Sequence, residues 1–216
     1  MNRAVSRLLD LLFPPKCPLC RRLVPRDGEL CASCRESLPR RKNPEVHVEF
    51  VDKCVSPLSY TGTVAEALRR MKFSNLPGYA KSFGRLLAET VGEALAGEYD
   101  LVSWVPVSPR RRRRRGYDQA QLLAREVGRE LGVPVVSTLC KPKDNPAQSG
   151  VGGPAARKAN VLGVYIITDS ERVLGQRILL IDDIVTTGAT LAECAMTLKA
   201  AGAARVVAAA VAHGDK

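Results

Sequence analysis

The stretch RILLIDDIVTTGATL, residues 177–191, constrains the fold more than any other part of the chain. Ile178, Leu179, Leu180 and Ile181 form an apolar run without alternation, the pattern of a strand buried on both faces. Such strands belong inside parallel sheets with helices packed on either side. Asp182 and Asp183 fall at the carboxyl end of this run, and residues 186–190 make a turn of threonines and small residues that opens a helix. A helix N-terminus offers unpaired N–H groups and partial positive charge to an anion. Gly188 and Ala189 let the backbone approach a ligand, and Thr186, Thr187 and Thr190 add hydroxyl donors. Together these residues make a seat for a phosphate monoester. Carboxylates aimed at that phosphate would repel it. Their natural partners are sugar hydroxyls, with a cation close by. A phosphate beside a diol describes a ribose 5-phosphate.

The remaining pattern supplies the sheet. CVSPLSY, YDLVSWVPV, VPVVSTL, VLGVYII, RILLIDD and ARVVAAAVA read as strands. Helical spacing appears in GTVAEALRRMKF through Val64, Leu68 and Met71, and in YAKSFGRLLAETVGEALA through Phe83, Leu87 and Val91. Two further helices are YDQAQLLAREVGRELG, closed by Gly132, and ATLAECAMTLKAAG, stopped by Gly202. Strands alternate with helices from about residue 100 onward, which predicts an α/β fold with an open, mostly parallel sheet and ligands at the strands' carboxyl ends. Residues 1–50, rich in cysteine and arginine, read as a separate small unit, and residues 51–216 as the main domain. The opening MNRAVSRLLDLLFPP has a basic start, but Asp10 interrupts it and no small-residue cleavage site follows. It is expected to form a short amphipathic helix with Leu8, Leu11 and Leu12 near one face, not a signal peptide. No apolar run approaches the roughly 18 residues of a membrane span, so a cytoplasmic location is expected.

The net charge of +11 suits an anionic partner without choosing between a phosphorylated small molecule and a nucleic acid. Aromatic residues make up only 5% of the chain, which gives little support for a base-stacking platform. The basic residues concentrate in WVPVSPRRRRRRGYDQAQLLA, read as a strand end, an arginine-rich loop and a helix. Arginine suits bidentate phosphate recognition. Six in a row exceed what one small anion needs, so most of them read as a solvated basic run, with contact to a nucleic acid left open. Of the seven cysteines, Cys17, Cys20, Cys31 and Cys34 have the spacing C-x2-C-x10-C-x2-C. Two such hooks can wrap one structural zinc ion with four thiolates; a redox pair or two disulfides are the alternatives. Cys54, Cys140 and Cys194 are scattered and read as small core residues. The stretch AQSGVGGPAARKANVLG is rich in glycine and basic at Arg157 and Lys158. It reads as a mobile loop able to close over a site, or as a plain surface loop. His47 and His213 are isolated.

ILLIDDIVTTGAT resembles the 13-residue signature of type I phosphoribosyltransferases at every defining position: four apolar residues, two acidic, two apolar, then T-T-G-x-T. These enzymes take ribose 5-phosphate from 5-phosphoribosyl 1-pyrophosphate (PRPP). The resemblance implies that Asp182 and Asp183 are the catalytic acidic pair, holding the ribose hydroxyls. It implies that Thr186, Thr187, Gly188, Ala189 and Thr190 hold the 5-phosphate. Pyrophosphate would lie on the loop of Val107, Ser108, Arg110 and Arg111, with Mg2+ accompanying PRPP. With the cysteine hooks, RRRRRRGYDQAQLLA and AQSG…RKANVLG in this order, nearly the whole chain resembles the ComF family of competence-associated proteins. That resemblance implies a type I phosphoribosyltransferase fold, a structural Zn2+ and a mobile loop carrying Gln148 and Arg157. The implied partners are PRPP, an unknown acceptor, and single-stranded DNA or competence-machinery proteins. The loop departs from the family, which tends to carry Leu-Ser and Glu-Arg where this chain has Val151-Gly152-Gly153 and Ala156-Arg157. Asp118 stands where the family often has Asn, and Lys72 matches a family lysine within reach of diphosphate or acceptor. Three functions remain: a Mg-dependent transferase, a non-catalytic PRPP sensor, and a DNA- or partner-binding competence factor. The hood that selects an acceptor, here the N-terminal region and parts of 54–100, has no legible code. The oligomeric state is also open, a dimer included.

Overall fold

The computed structural model describes residues 14–25, 30–74, 76–142 and 163–214. The expected N-terminal helix at Leu8, Leu11 and Leu12, and the loop residues Gln148 and Arg157, lie outside them.

The first described helix, α1 (Ala32–Glu36), starts directly after Cys31. Next come β1 (Lys53–Val55) and β2 (Leu58–Ser59), one strand-like stretch broken at Pro57. Helices α2 (Gly62–Phe73) and α3 (Tyr79–Ala94) follow, then β3 (Leu101–Trp104). A short helix α4 (Pro109–Arg115) leads to α5 (Gln119–Leu131). The chain continues through β4 (Leu139–Cys140), β5 (Ile166–Ile167), β6 (Arg177–Val185), α6 (Ala189–Ala200) and β7 (Arg205–His213).

The main sheet is parallel, in the order β1–β7–β6–β3, with β2 continuing beside β7 beyond β1. Successive strand residues point to opposite faces. Leu179, Ile181, Val207, Ala209 and Val211 therefore enter one core with α2, α3 and α5. Ile178, Leu180, Val206, Ala208 and Ala210 enter a second core against Leu191, Cys194, Ala195 and Leu198 of α6. Helices α3 and α5 lie so close that a Cβ on Gly84 would sit 2.5 Å from Cβ of Glu126. Cys17, Leu19 and Leu38 pack into the first core, so residues 14–50 share hydrophobic contacts with the sheet domain. Both flanks of the sheet are covered. Residues 44–46 pair along the outer side of β1, and residues 134–136 along the outer side of β3.

Several expectations need correction. The arginine-rich stretch is a helix, not a loop. Ser108 caps it by accepting the Arg111 N–H at 3.2 Å, Pro109 fills its first turn, and Gly116 ends it at φ 80°. YDLVSWVPV ends as a strand at Trp104 rather than Pro106, because its β6 partner register stops at Ile181. VPVVSTL contributes only a bridge at Val135 and Leu139, the first of the two residues of β4. The described end of VLGVYII pairs antiparallel with β4, away from the main sheet. Among the described residues, no helix is long and apolar enough to cross a membrane.

Candidate functional site

The site follows from unequal strand lengths. β3 stops opposite Ile181, while β6 runs on to Val185. This leaves a notch at the carboxyl end of the sheet, where open α/β sheets bind ligands. A cavity of about 360 Å³ occupies it.

Asp182 and Asp183 both line this cavity, from opposite faces of β6. Asp182 lies on the α6 side, close enough to the Cys54 and Cys194 thiols to help push both up, although burial dominates in each case. Burial, reinforced by the charge of Asp183, holds the Asp182 carboxyl well above the usual carboxylate range. Its Oδ1 accepts the Asp183 N–H at 2.8 Å. Asp183 lies on the α2 side, where its Oδ2 is 3.2 Å from Nζ of Lys72. Thr186 and Thr190 line the same cavity. Thr187 accepts the Ala189 N–H at 3.4 Å. Gly188 caps α6 at φ 73°, and a Cβ there would meet Val48 at 3.0 Å. Gly188 has no side chain with which to cap α6, so beyond the Ala189 N–H the first turn is open to a ligand or solvent.

The opposite wall comes from β3 and α4. Val107 and Arg111 line the cavity, and Ser108 is buried as the cap of α4. Arg110 is exposed and is not part of the lining; Arg115 is. The reason is helical: residues four apart share a face, so Arg111 and Arg115 point inward together, while Arg112, Arg113 and Arg114 stay exposed. Arg115 donates to Gln119 Oε1 at 3.0 Å, and its guanidinium lies 5.5 Å from the Phe73 ring centroid. Asp118 is buried. It accepts the Val107 N–H at 2.9 Å and the Gln121 N–H at 3.3 Å, which fixes the β3 loop to the start of α5. Burial raises its carboxyl above the usual range. Lys141 lines the cavity 5.2 Å from the Tyr165 ring centroid, and Tyr165 and Tyr60 complete the wall.

Among the described residues, four cationic side chains thus face three carboxylates, two of which, Asp182 and Asp118, burial raises above the usual carboxylate range. Such a cavity favours an anion on the α4 side and hydroxyl donors on the β6 side. Arg115, Asp118, Lys141, Tyr60 and Tyr165 were not singled out as cavity residues by the sequence. Only the Ser-Pro and Gly punctuation around the arginines carried a signal, because it marks a helix and hence an inward face.

The second cluster is Cys17, Cys20, Cys31 and Cys34, whose sulfurs all lie within 4.8 Å of one another. Tetrahedral zinc with thiolates at about 2.3 Å requires sulfur separations of about 3.8 Å, and Cys20 and Cys31 lie at 3.5 Å. The Lys16–Leu23 bridge folds the first hook into a hairpin, and α1 presents Cys34. Hydrogen bonds from Ser33 and the Cys34 backbone lower the Cys31 thiol to about 6. Burial and the neighbouring thiols push Cys34 upward. The donor set fits a closed, structural zinc site.

The family described as Phosphoribosyl transferase domain matches residues 114–216, and the Double zinc ribbon domain matches residues 8–48. "Competence protein ComFC" of Bacillus subtilis (strain 168) is 30% identical over 199 residues, covering 88% of this chain and 74% of that protein. "Competence protein F" of Haemophilus influenzae is 27% identical over 194 residues, covering 87% and 80%. "DNA utilization protein YhgH" of Escherichia coli (strain K12) is 28% identical over 202 residues, covering 88% and 86%.

Proposed function

The chain belongs to the ComF family, and from that premise we propose that it binds PRPP in the notch between β3 and β6 and passes ribose 5-phosphate to an acceptor, releasing pyrophosphate. The observation that carries this reading is a single cavity lined by the acidic pair, by Thr186 and Thr190 of the threonine turn, and by Lys72, Arg111 and Arg115. The 5-phosphate lies on the turn of Thr186, Thr187, Gly188, Ala189 and Thr190. The ribose hydroxyls face Asp182 and Asp183. Pyrophosphate lies against Val107, Ser108, Arg111 and Arg115. Asp118 keeps the Val107 backbone in place for it.

Loss of pyrophosphate from C1 leaves an oxocarbenium-like sugar, the charge pattern familiar from glycoside chemistry. Arg111 and Arg115 stabilise the departing charge, while the carboxylates face the developing positive charge. Position and electrostatics carry the reaction: the acceptor itself attacks C1 as pyrophosphate leaves and gives up its proton, so no nucleophile from the protein is required. Lys72 leaves Asp183 when ligand enters and turns to the pyrophosphate. The oxygen donors at the end of β6 suit a hard divalent cation. Magnesium bound with PRPP would neutralise pyrophosphate charge.

Incubation with PRPP, magnesium and a panel of bases and amines tests the reading through pyrophosphate release. PRPP binding without release by any acceptor would favour a sensor over a transferase. PRPP failing to bind at all would refute both.

A second reading concerns Arg110, Arg112, Arg113 and Arg114, exposed on the outer side of α4. We propose that they contact the backbone of single-stranded DNA, in keeping with the names of the relatives. Salt-sensitive strand binding that survives Asp182→Ala but fails when these four arginines are replaced would support it; binding unchanged by that replacement would refute it.

A further inference from the structure

Four consecutive residues at the end of α2 face two different sites. Arg70 donates from Nη2 to the carbonyls of Pro18 at 2.8 Å and Leu19 at 3.1 Å. Those are the two residues between Cys17 and Cys20, so the guanidinium grips the turn of the first cysteine hook. The Met71 carbonyl accepts the Tyr117 hydroxyl. Lys72 is the ion-pair partner of Asp183. Phe73 lies under the Arg115 guanidinium. Met71 is buried in the same core as Cys17 and Leu19. A single helical turn therefore touches the cysteine hook on one side, and both walls of the cavity on the other.

Hydrogen bonds from a charged donor are stronger than neutral ones, and two acceptors on one guanidinium nitrogen hold the turn of the hook against α2. The hook keeps its shape only while its cysteines are ligated, since a structural zinc contributes its binding energy to folding. When the hook loosens, Arg70 loses its two acceptors and the last turn of α2 loses its outer anchor. Lys72 and the Met71 carbonyl then lose their fixed positions at the cavity.

We propose that Arg70 is a positioning residue that couples the four-cysteine metal site to the PRPP cavity. Zinc in the cysteines raises affinity for PRPP, and PRPP in turn slows loss of zinc. The reciprocity is a thermodynamic requirement of any coupling between two binding sites. The PRPP half of this coupling rests on the function proposed above; the link from zinc to the cavity wall does not.

The test uses the full, zinc-loaded chain with Arg70→Met and Arg70→Lys. Arg70→Met is expected to keep one zinc per chain by metal analysis, yet to bind PRPP with magnesium about tenfold more weakly in calorimetry, within the usual range of coupling between sites. PRPP should slow zinc release to a chromogenic chelator in the wild type and not in Arg70→Met. Arg70→Lys should recover part of both effects. A ligand-free arm follows amide hydrogen exchange. Stripping zinc should speed exchange in 71–73 and 115–118 in the wild type, while Arg70→Met with zinc bound should already exchange fast there. Exchange in those segments that does not respond to zinc overturns the coupling, whether or not PRPP binds. Wild-type PRPP affinity in zinc-loaded Arg70→Met also overturns it. Zinc-loaded wild type that binds no PRPP overturns the function instead, and the exchange arm still decides the link.

Discussion

Asp182 and Asp183 are neighbours in sequence that project to opposite faces of β6, and their environments differ accordingly. Asp183 has Lys72 within 3.2 Å, whereas the Asp182 carboxyl is held high by burial and its neighbour's charge. A carboxyl whose pKa is raised on folding is protonated more readily in the folded chain than in the unfolded one. Stability therefore falls as pH rises from the ordinary value of 3.8 toward the raised one, and stays lowered above it. Asp182→Asn is expected to raise the ligand-free Tm at pH 7 by about 2–4 °C, the equivalent of roughly 1 kcal/mol in a chain of this size, and to abolish PRPP binding. Scanning calorimetry at pH 7 and pH 4 checks the sign, because the gain should shrink in acid. At Gly188 the cost runs the other way. Its φ of 73° and the 3.0 Å approach to Val48 both disfavour a side chain. Gly188→Ala should cost about 1–2 kcal/mol in urea unfolding and, on the function proposed, weaken PRPP binding, since the threonine turn must shift.

At the scale of elements, helix α4 shows what periodicity alone misses. Six arginines carry no apolar stripe, and like charges at helical spacing oppose a helix, so the run reads as a loop. The stop and start residues Ser108, Pro109 and Gly116 decide otherwise. The strands were legible wherever burial on both faces removes ambiguity, as in β6 and β7. They were least legible in VPVVSTL, where a β-branched run serves mainly to flank β3. The threonine turn, the acidic pair and the cysteine spacing were readable because each is a local pattern. Lys141, Tyr165, Tyr60 and the Lys72 contact reach the cavity through packing between distant elements, which no local pattern encodes. The α3–α5 contact gives a prediction at this scale. Cβ of Glu126 is fixed to its helix and cannot swing away from a methyl group on Gly84. Gly84→Ala should force the helices apart near Glu126 and cost about 1–3 kcal/mol by denaturant titration, with a smaller effect on PRPP affinity, because the cavity is lined by residues 118–120 at the start of α5.

At the scale of the whole molecule, the cysteine hooks and the sheet share one core through Cys17, Leu19 and Leu38. Removal of zinc is therefore expected to lower the Tm of the entire chain by more than about 5 °C, as one cooperative transition. A separate early transition confined to residues 14–50 would argue against this, and calorimetry with and without chelator distinguishes the two. The covered flanks of the sheet have a different consequence. Residues 44–46 and 134–136 already take hydrogen bonds along the outer sides of β1 and β3. A second chain arriving there meets segments already bonded to Val102 of β3 and to Cys54 and Ser56 beside β1. A chain pairing directly onto β1 or β3 at those positions would first have to displace the flanking segments, so loosening them is expected to raise the tendency of concentrated solutions to form fibrils.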